Sequence, residues 1–414
     1  MKIGFICPNL PGHLNPFSAL ARHVAMRHHE VVFLYSSGAG GLPVIPYDEE
    51  DAFNEGRAEV SQKQGEDALQ VGLRLLLAQT ATIFKSLPRI VQAHQIDALV
   101  IDNVQFYAEL AAIQLGIPYV HACGAMHLDF SGRVPLSTCG SLQEKTAAAL
   151  VRNQDDVKRL VQLMQNANRE VRAQAEAAGL KVDWDDLSST LSPLAVITQV
   201  PKAFDFDSSH WPAHFHHTGP FHDGKGREAL DFPWARLSGE PLIYASMGTI
   251  LNGRVDVFHT IVAALAKNPG LQLVLSVGDQ INPDEVGPVP KNAIIVKRAP
   301  QLELLKQASA CLTHSGLNTV LESLAEGVPQ VAIPVTFDQP GVAARIAHYK
   351  TGVVTSLDKL TPEHLSALLN QVLEDSTYRN NALRMKKAIS NANGLSVAAD
   401  LVDQALGGKK TATA

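Results

Sequence analysis

The residues of this chain able to move protons and hold hydroxyl groups follow short apolar runs. His13 stands in Gly12-His13-Leu14-Asn15-Pro16, just after the run KIGFIC at residues 2–7. An imidazole there is matched to taking a proton from a hydroxyl near neutral pH; the plainer duty is helix capping or simple surface exposure. Asp102 closes the run DALVID. A base that receives a proton needs an orienting carboxylate, and the competing duty for Asp102 is to cap the helix expected over 104–115. Asp97 opens the same run and reads as structural, and Asn103 takes the place of Asp102 if the register is off by one. His314-Ser315-Gly316 follows the run Ala310–Thr313 and opens a helical stretch from Leu317 to Glu326, which Gly327 closes. Free backbone N–H groups at such a start attract phosphate, and Gly316 lets the backbone approach closely. Glu322 lies about two turns on, and Asp338 and Gln339 follow the next apolar run, at 331–334. Their side chains can hold vicinal hydroxyls. A diphosphate between two hydroxyl-rich groups describes a nucleotide sugar.

These residues need a scaffold that gathers them at one sheet edge. The runs 2–7, 30–35, 43–46, 97–102 and 117–122 alternate with helical stretches and end in strand-like segments at 194–199 and 214–218. After the Gly/Pro/charge-rich segment 220–240, strand and helix alternate again from PLIYASMG to the 380s. This pattern predicts an α/β chain of two Rossmann-like halves with parallel sheets, which bind ligands at the carboxyl ends of their strands. The expected units are an N-terminal domain over 1–219, a linker over 220–240, a C-terminal domain over 241–390, a turn and helix over 391–406, and a disordered tail over 407–414. A loop from Pro8 to Pro16 and a helix from Phe17 are expected after the first strand. The apolar stripe of residues 67–90, with Leu73 and Leu77, and the loop carrying Met126 and Phe130 are expected to line an apolar pocket. Ser246, Gly248 and Thr249 form a small-residue turn after the first strand of the second half, a weak signal by itself.

The chain has 414 residues, 46% hydrophobic and 18% charged, with a formal charge of −6. That is an ordinary globular composition and argues against a nucleic-acid partner, which calls for a basic patch. Cys7, Cys123, Cys139 and Cys311 are dispersed without a CxxC, a reduced, cytoplasmic pattern. No signal peptide is read at the start, and no apolar run reaches the ~20 residues that span a bilayer. The run His214-Phe215-His216-His217 with His222 invites a metal reading. Alternate strand residues face opposite sides and no carboxylate or cysteine completes a set, so no metal is expected.

The pieces Ala299-Pro300-Gln301, THSGLNT, Leu321-Glu322, Gly327-Val328-Pro329 and Asp338-Gln339 recur here in the order and spacing of the donor-binding signature of family 1 glycosyltransferases. The stretch APQLELL with DQPGVAARIA most resembles bacterial members, among them carotenoid (zeaxanthin) glucosyltransferases. The resemblance implies a GT-B fold, with two facing Rossmann-like domains and a cleft between them. It implies His13 as general base supported by Asp102, and inverting, metal-independent hexose transfer to a hydrophobic small molecule such as a flavonoid, polyketide, terpenoid or carotenoid. UDP-glucose would be the co-substrate, with no other cofactor. Donor contacts would come from Ser246, Gly248, Thr249, Arg298, Ala299, Gln301, His314, Ser315, Gly316, Asn318, Thr319, Glu322, Asp338 and Gln339, the Gln favouring glucose. Plant members carry Trp where this chain has Arg298 and Leu317, so the guanidinium of Arg298 either stacks on the base or faces solvent. Other open classes are a lipid-linked glycosyltransferase, a sugar-nucleotide epimerase and a non-catalytic helper of the same fold.

Overall fold

The apolar runs form two parallel sheets, in a computed structural model that describes residues 1–36, 40–45, 52–207, 209–248 and 253–407. Thr249, Pro46 and the tail from 408 lie outside the described residues. In the first half the order is β1 (Lys2–Ile6), α1 (Pro11–Ala25), β2 (Glu30–Leu34), β3 (Val44–Ile45), α2 (Ala52–Ser61), α3 (Gly65–His94), β4 (Ala98–Asp102), α4 (Glu109–Leu115), β5 (Tyr119–Cys123), α5 (Ala147–Ala167), α6 (Arg169–Ala177), β6 (Val196–Thr198) and β7 (Phe215–His217). The second half continues with β8 (Leu242–Ser246), α7 (Val255–Ala266), β9 (Gln272–Ser276), β10 (Ala293–Val296), α8 (Gln301–Leu305), β11 (Ala308–Thr313), α9 (Leu317–Ala325), β12 (Gln330–Ala332), α10 (Gln339–His348), β13 (Gly352–Val354), α11 (Pro362–Glu374), α12 (Ser376–Ala392) and α13 (Gly394–Gly407).

The sheets run β3-β2-β1-β4-β5-β6-β7 and β10-β9-β8-β11-β12-β13. Helices cover both faces, which is why the strands read as continuous apolar runs. Alternation along β1 sends Ile3 and Phe5 into a core with Phe17, Leu20 and Val24 of α1, and Ile6 into the opposite core under α3 and α4. Residues 220–240 pass between the sheets with one short 3-10 turn at Trp234–Arg236. Helix α13 returns to the first sheet, where Leu395, Ala398, Ala399 and Val402 pack into the core beneath α1.

The first helix differs from the sequence expectation. It begins at Pro11, so His13 lies in its first turn and not in a loop, and Pro16 lies inside it. Proline is tolerated at a helix start because its missing N–H has no partner to lose there. Pro16 does leave the carbonyl of Gly12 without its intrahelical donor. That carbonyl accepts instead from Asn318 Nδ2 of α9, at 2.5 Å, which ties the two halves together beside His13.

The return to the first sheet requires close backbone contact. A Cβ on Gly394 would lie 2.6 Å from the carbonyl carbon of Gly219. Glycine to alanine ordinarily strengthens a helix, but here Gly394→Ala is expected to lower stability by about 1–3 kcal/mol through overpacking. Chemical denaturation followed by helical signal checks this; an unchanged or raised midpoint would show that the crossing has slack.

Candidate active site

Strand order reverses between β1 and β4 in the first sheet and between β8 and β11 in the second. Such switch points open crevices at the carboxyl ends of strands. At the first, β1 leads into the turn of α1 that carries His13, and β4 ends at Asp102. Asp102 shares a face with Ala98 and Val100, the face covered by α1. His13 Nδ1 lies 2.7 Å from Asp102 Oδ2, whose carboxylate is fully buried. A carboxylate only accepts, so the ring proton sits on Nδ1 and the Nε2 lone pair is available. Burial by itself would lower the pKa of His13. The charge and hydrogen bond of Asp102, helped by the charge of Asp338, outweigh it and hold the pKa above its ordinary value. Gly124, after β5, leaves room for the pair: a Cβ there would meet Asp102 Oδ2 at 2.6 Å.

The second switch point carries His314, one residue past β11. Its imidazole is wedged between Gly248 and Gly316, where a Cβ on either would strike Nε2. Gly316 is therefore needed for space. The left-handed backbone of the turn belongs to Ser315, at φ +69°. Burial pushes the His314 pKa down to about 4, so this side chain is neutral at physiological pH. Its Nδ1 and the Ser315 hydroxyl are buried without a hydrogen-bond partner, as polar atoms awaiting a ligand would be. No side chain caps α9, so its first backbone N–H groups also face the crevice unpaired by a cap. The Ser246 hydroxyl accepts from the backbone N–H of Gly248 at 3.3 Å.

The other residues expected on the donor side have partners already. Gln301 Nε2 donates to Glu322 at 2.5 Å and lies 3.5 Å from the Thr319 hydroxyl, while Tyr244 OH donates to Gln301 Oε1 at 2.9 Å. Glu322 also takes a salt bridge from Arg227 of the intervening segment. Arg298 is exposed, paired with Asp279 at 2.7 Å and with Glu228 at 3.4 Å. Ala299 packs against the core of β8 and β11. Asn318, expected near phosphate, spans the halves: it reaches the Gly12 carbonyl and accepts from Gln199 Nε2 at 2.9 Å. Asp338 Oδ2 accepts from the backbone N–H of Met126 at 2.9 Å, and burial raises its pKa. Gln339 Oε1 accepts from Val335 and Thr336 N–H groups, leaving Nε2 for a ligand.

The expected acceptor lining divides. Phe130 borders a cavity in the first half. Leu73 and Leu77 are packed in the core under β2 and β4, because the stripe of α3 faces the sheet. Met126 is buried against α9 and α10 at the seam. Against the expectation that no carboxylate completes a set, His217 of the histidine run joins His127 and Asp205 in a cluster with ligand atoms within 4.8 Å of one another. Both imidazoles bond Asp205 Oδ2, at 2.7 and 3.0 Å, and Arg345 of α10 bonds Oδ1 at 2.7 Å. The guanidinium opposes a cation on that carboxylate, and the cluster acts as a buried tie across the seam. Arg227, Gln199, Tyr244 and Arg345 carried no local sequence signal; only Pro16, which frees a carbonyl, hinted at the Asn318 tie.

Residues 75–391, well over half the chain, match the family described as UDP-glucoronosyl and UDP-glucosyl transferase. The chain belongs to this family. It is a glycosyltransferase with the GT-B fold. Zeaxanthin glucosyltransferase of Pseudescherichia vulneris is 28% identical over 98% of both chains. NDP-glycosyltransferase YjiC of Bacillus subtilis is 24% identical over 94% of each. Among solved structures, the glycotransferase of kitacinnamycin superposes with a TM-score of 0.75 at 22% identity over 98% of each chain. The calicheamicin glycosyltransferase CalG4 gives 0.72 at 21% identity, again over 98% of each.

The electrostatics of the dyad set a sign for pH dependence. A base must be neutral to act, so with His13 in that role its raised pKa is expected to set the acidic limb of kcat/KM above the ordinary histidine value. Asp102→Asn removes the raising charge and leaves burial, so the limb moves to lower pH while kcat falls. A limb that stays in place as kcat falls would mean that the group titrating is not His13.

Proposed function

We propose that the enzyme transfers a hexose, glucose, from its UDP-sugar to a hydroxyl of an apolar small molecule, with inversion and without a metal. The observation that carries this reading is the pairing of His13 with Asp102 at one switch point, opposite the uncapped start of α9 at the other. His13 Nε2 takes the acceptor proton as the acceptor oxygen bonds to the anomeric carbon. The bond from that carbon to the UDP oxygen breaks on the opposite side, which inverts the centre. The charge left on UDP is met by the backbone N–H groups at the start of α9 and by His314 acting as a neutral hydrogen-bond donor. Glu322 takes the ribose once Arg227 gives way or shares, and Asp338 with the Nε2 of Gln339 takes the hexose. The named relatives act on zeaxanthin, kitacinnamycin and calicheamicin by their descriptions, which supports an apolar natural product as acceptor. Four free cysteines support a reducing, cytoplasmic setting, and no described helix is long and apolar enough to cross a membrane.

Incubation with UDP-glucose and a panel of phenols, terpenols and carotenols, followed by mass spectrometry, tests the reaction: a gain of one hexose is expected, and it persists in EDTA. Loss in EDTA with rescue by magnesium or manganese would overturn the metal-free account. His13→Ala should lower turnover on a weakly acidic alcohol by about two to four orders of magnitude while keeping UDP affinity.

Donor roles separate by titration. Glu322→Ala should weaken UDP and UDP-glucose alike by about 1–3 kcal/mol, because both carry the ribose. Gln339→Ala should weaken UDP-glucose more than UDP. Equal losses of UDP affinity in the two variants would place the hexose on the wrong side of His314.

A further inference from the structure

The loop that ends in Asp338 and Gln339 belongs to the second half but is held by the first. The backbone N–H of Gly65, at the start of α3, donates to the Val335 carbonyl at 3.0 Å. The Thr336 hydroxyl donates to the Gly65 carbonyl at 2.7 Å. Asp338 is tied to the Met126 N–H. Between these ties stands Phe337, whose backbone is left-handed at φ +57°. A phenylalanine there is strained, because its Cβ crowds the carbonyl that follows. Such a residue persists only where its surroundings hold it, and it tends to occur at ligand sites.

What holds Phe337 is a notch in α3. Gly72 is buried within that helix, and a Cβ on it would lie 2.5 Å from Phe337 Cε1 and 2.8 Å from Cζ. Alanine in place of a mid-helix glycine ordinarily strengthens the helix, so what Gly72 supplies is space for the ring. Gly72, Leu75 and Leu76 stand three and four positions apart and share one side of α3, while Leu73 and Leu77 turn to the sheet core. The ring packs against Leu75 and Leu76 together with Val60 and Leu10. Leu10 precedes α1, and its carbonyl accepts from the His13 N–H at 2.9 Å. One apolar cluster thus touches both the turn that carries His13 and the loop that carries Asp338 and Gln339.

We propose that Phe337 is a positioning residue for the hexose: its ring, seated in the Gly72 notch of the first half, fixes the angle at which Asp338 and Gln339 meet the sugar. The proposal rests on the reading that these two side chains hold the hexose. Freed from the notch, Phe337 relaxes toward an ordinary φ and turns the two residues that follow it. The ribose and diphosphate contacts proposed above lie on α9 and the turn before it, so they stay in place. Recognition of the hexose, unlike that of UDP, is therefore set by α3 of the opposite half.

Calorimetric titration with UDP and with UDP-glucose tests this. Gly72→Ala should weaken UDP-glucose by about tenfold, the scale of one lost hydroxyl contact, and leave UDP within about twofold. Leucine lacks the Cε1 and Cζ atoms that the new Cβ would strike. Combining Gly72→Ala with Phe337→Leu should therefore recover most of the loss, as coupled neighbours do. Phe337→Gly keeps the left-handed turn without strain but has no ring to seat, and should also lose UDP-glucose selectively. It carries the test if thermal unfolding shows that Gly72→Ala does not fold. Unchanged UDP-glucose affinity in folded Gly72→Ala or Phe337→Gly, equal losses of both ligands, or no recovery in the double variant would overturn the proposal. If Gln339→Ala still weakens UDP-glucose selectively in that event, the hexose reading stands and only the notch fails. If Gln339→Ala has no such effect, the hexose reading fails and the proposal with it.

Discussion

One part-buried contact, His13 Nδ1 against Asp102 Oδ2, organises the molecule. Burial of an imidazole favours its neutral form, and a fully buried carboxylate beside it favours the charged form; here the carboxylate wins. The balance holds only while the surroundings stay in register. Alternation along β4 must turn Asp102 toward α1, α1 must begin at Pro11, and Gly124 must stay small. The seam between the halves must also stay closed, since the charge of Asp338 reaches His13 from the second half.

The seam is held by bonds that exist because something else was removed. Pro16 deprives the Gly12 carbonyl of a helical donor, and Asn318 supplies one from α9. Gln199 orients Asn318 while donating to the Gly124 carbonyl at 2.7 Å. Farther along, Asp205 gathers two imidazoles and the Arg345 guanidinium, and their charges hold its pKa well below the usual carboxylate range despite burial. His314 shows the opposite balance. No carboxylate is among the groups that shift it, so burial outweighs its hydrogen bond with the Ser246 backbone and keeps it neutral. The two histidines at the two switch points thus differ in charge preference through environment: a carboxylate holds the pKa of His13 up, and burial holds that of His314 down.

Much of this was legible in the sequence because it is local. The strand, turn and helix from Ala310 to Gln339 follow from apolar runs punctuated by His314-Ser315-Gly316 and Gly327, and the donor-binding resemblance rests on that same stretch. Asp102 at a strand end was equally readable. What escaped involves partners far apart in the chain. Arg227 on Glu322 bridges 95 positions and Arg345 on Asp205 bridges 140, and neither leaves a periodic trace. The start of α1 was misplaced because prolines at 11 and 16 read as loop residues, while a helix tolerates the first and reroutes a carbonyl around the second. Leu73 and Leu77 were assigned to a pocket because an apolar stripe does not say whether it faces a core or a ligand.

The central claim is that Asp102 fixes His13 as a base with Nε2 free. Nitrogen NMR of histidine-labelled protein, followed across a pH titration, reads both the tautomer and the pKa of that one ring. The account predicts a proton on Nδ1 in the neutral ring and a pKa above the ordinary histidine value. A proton on Nε2, or a pKa below that value with Asp102 intact, would contradict it.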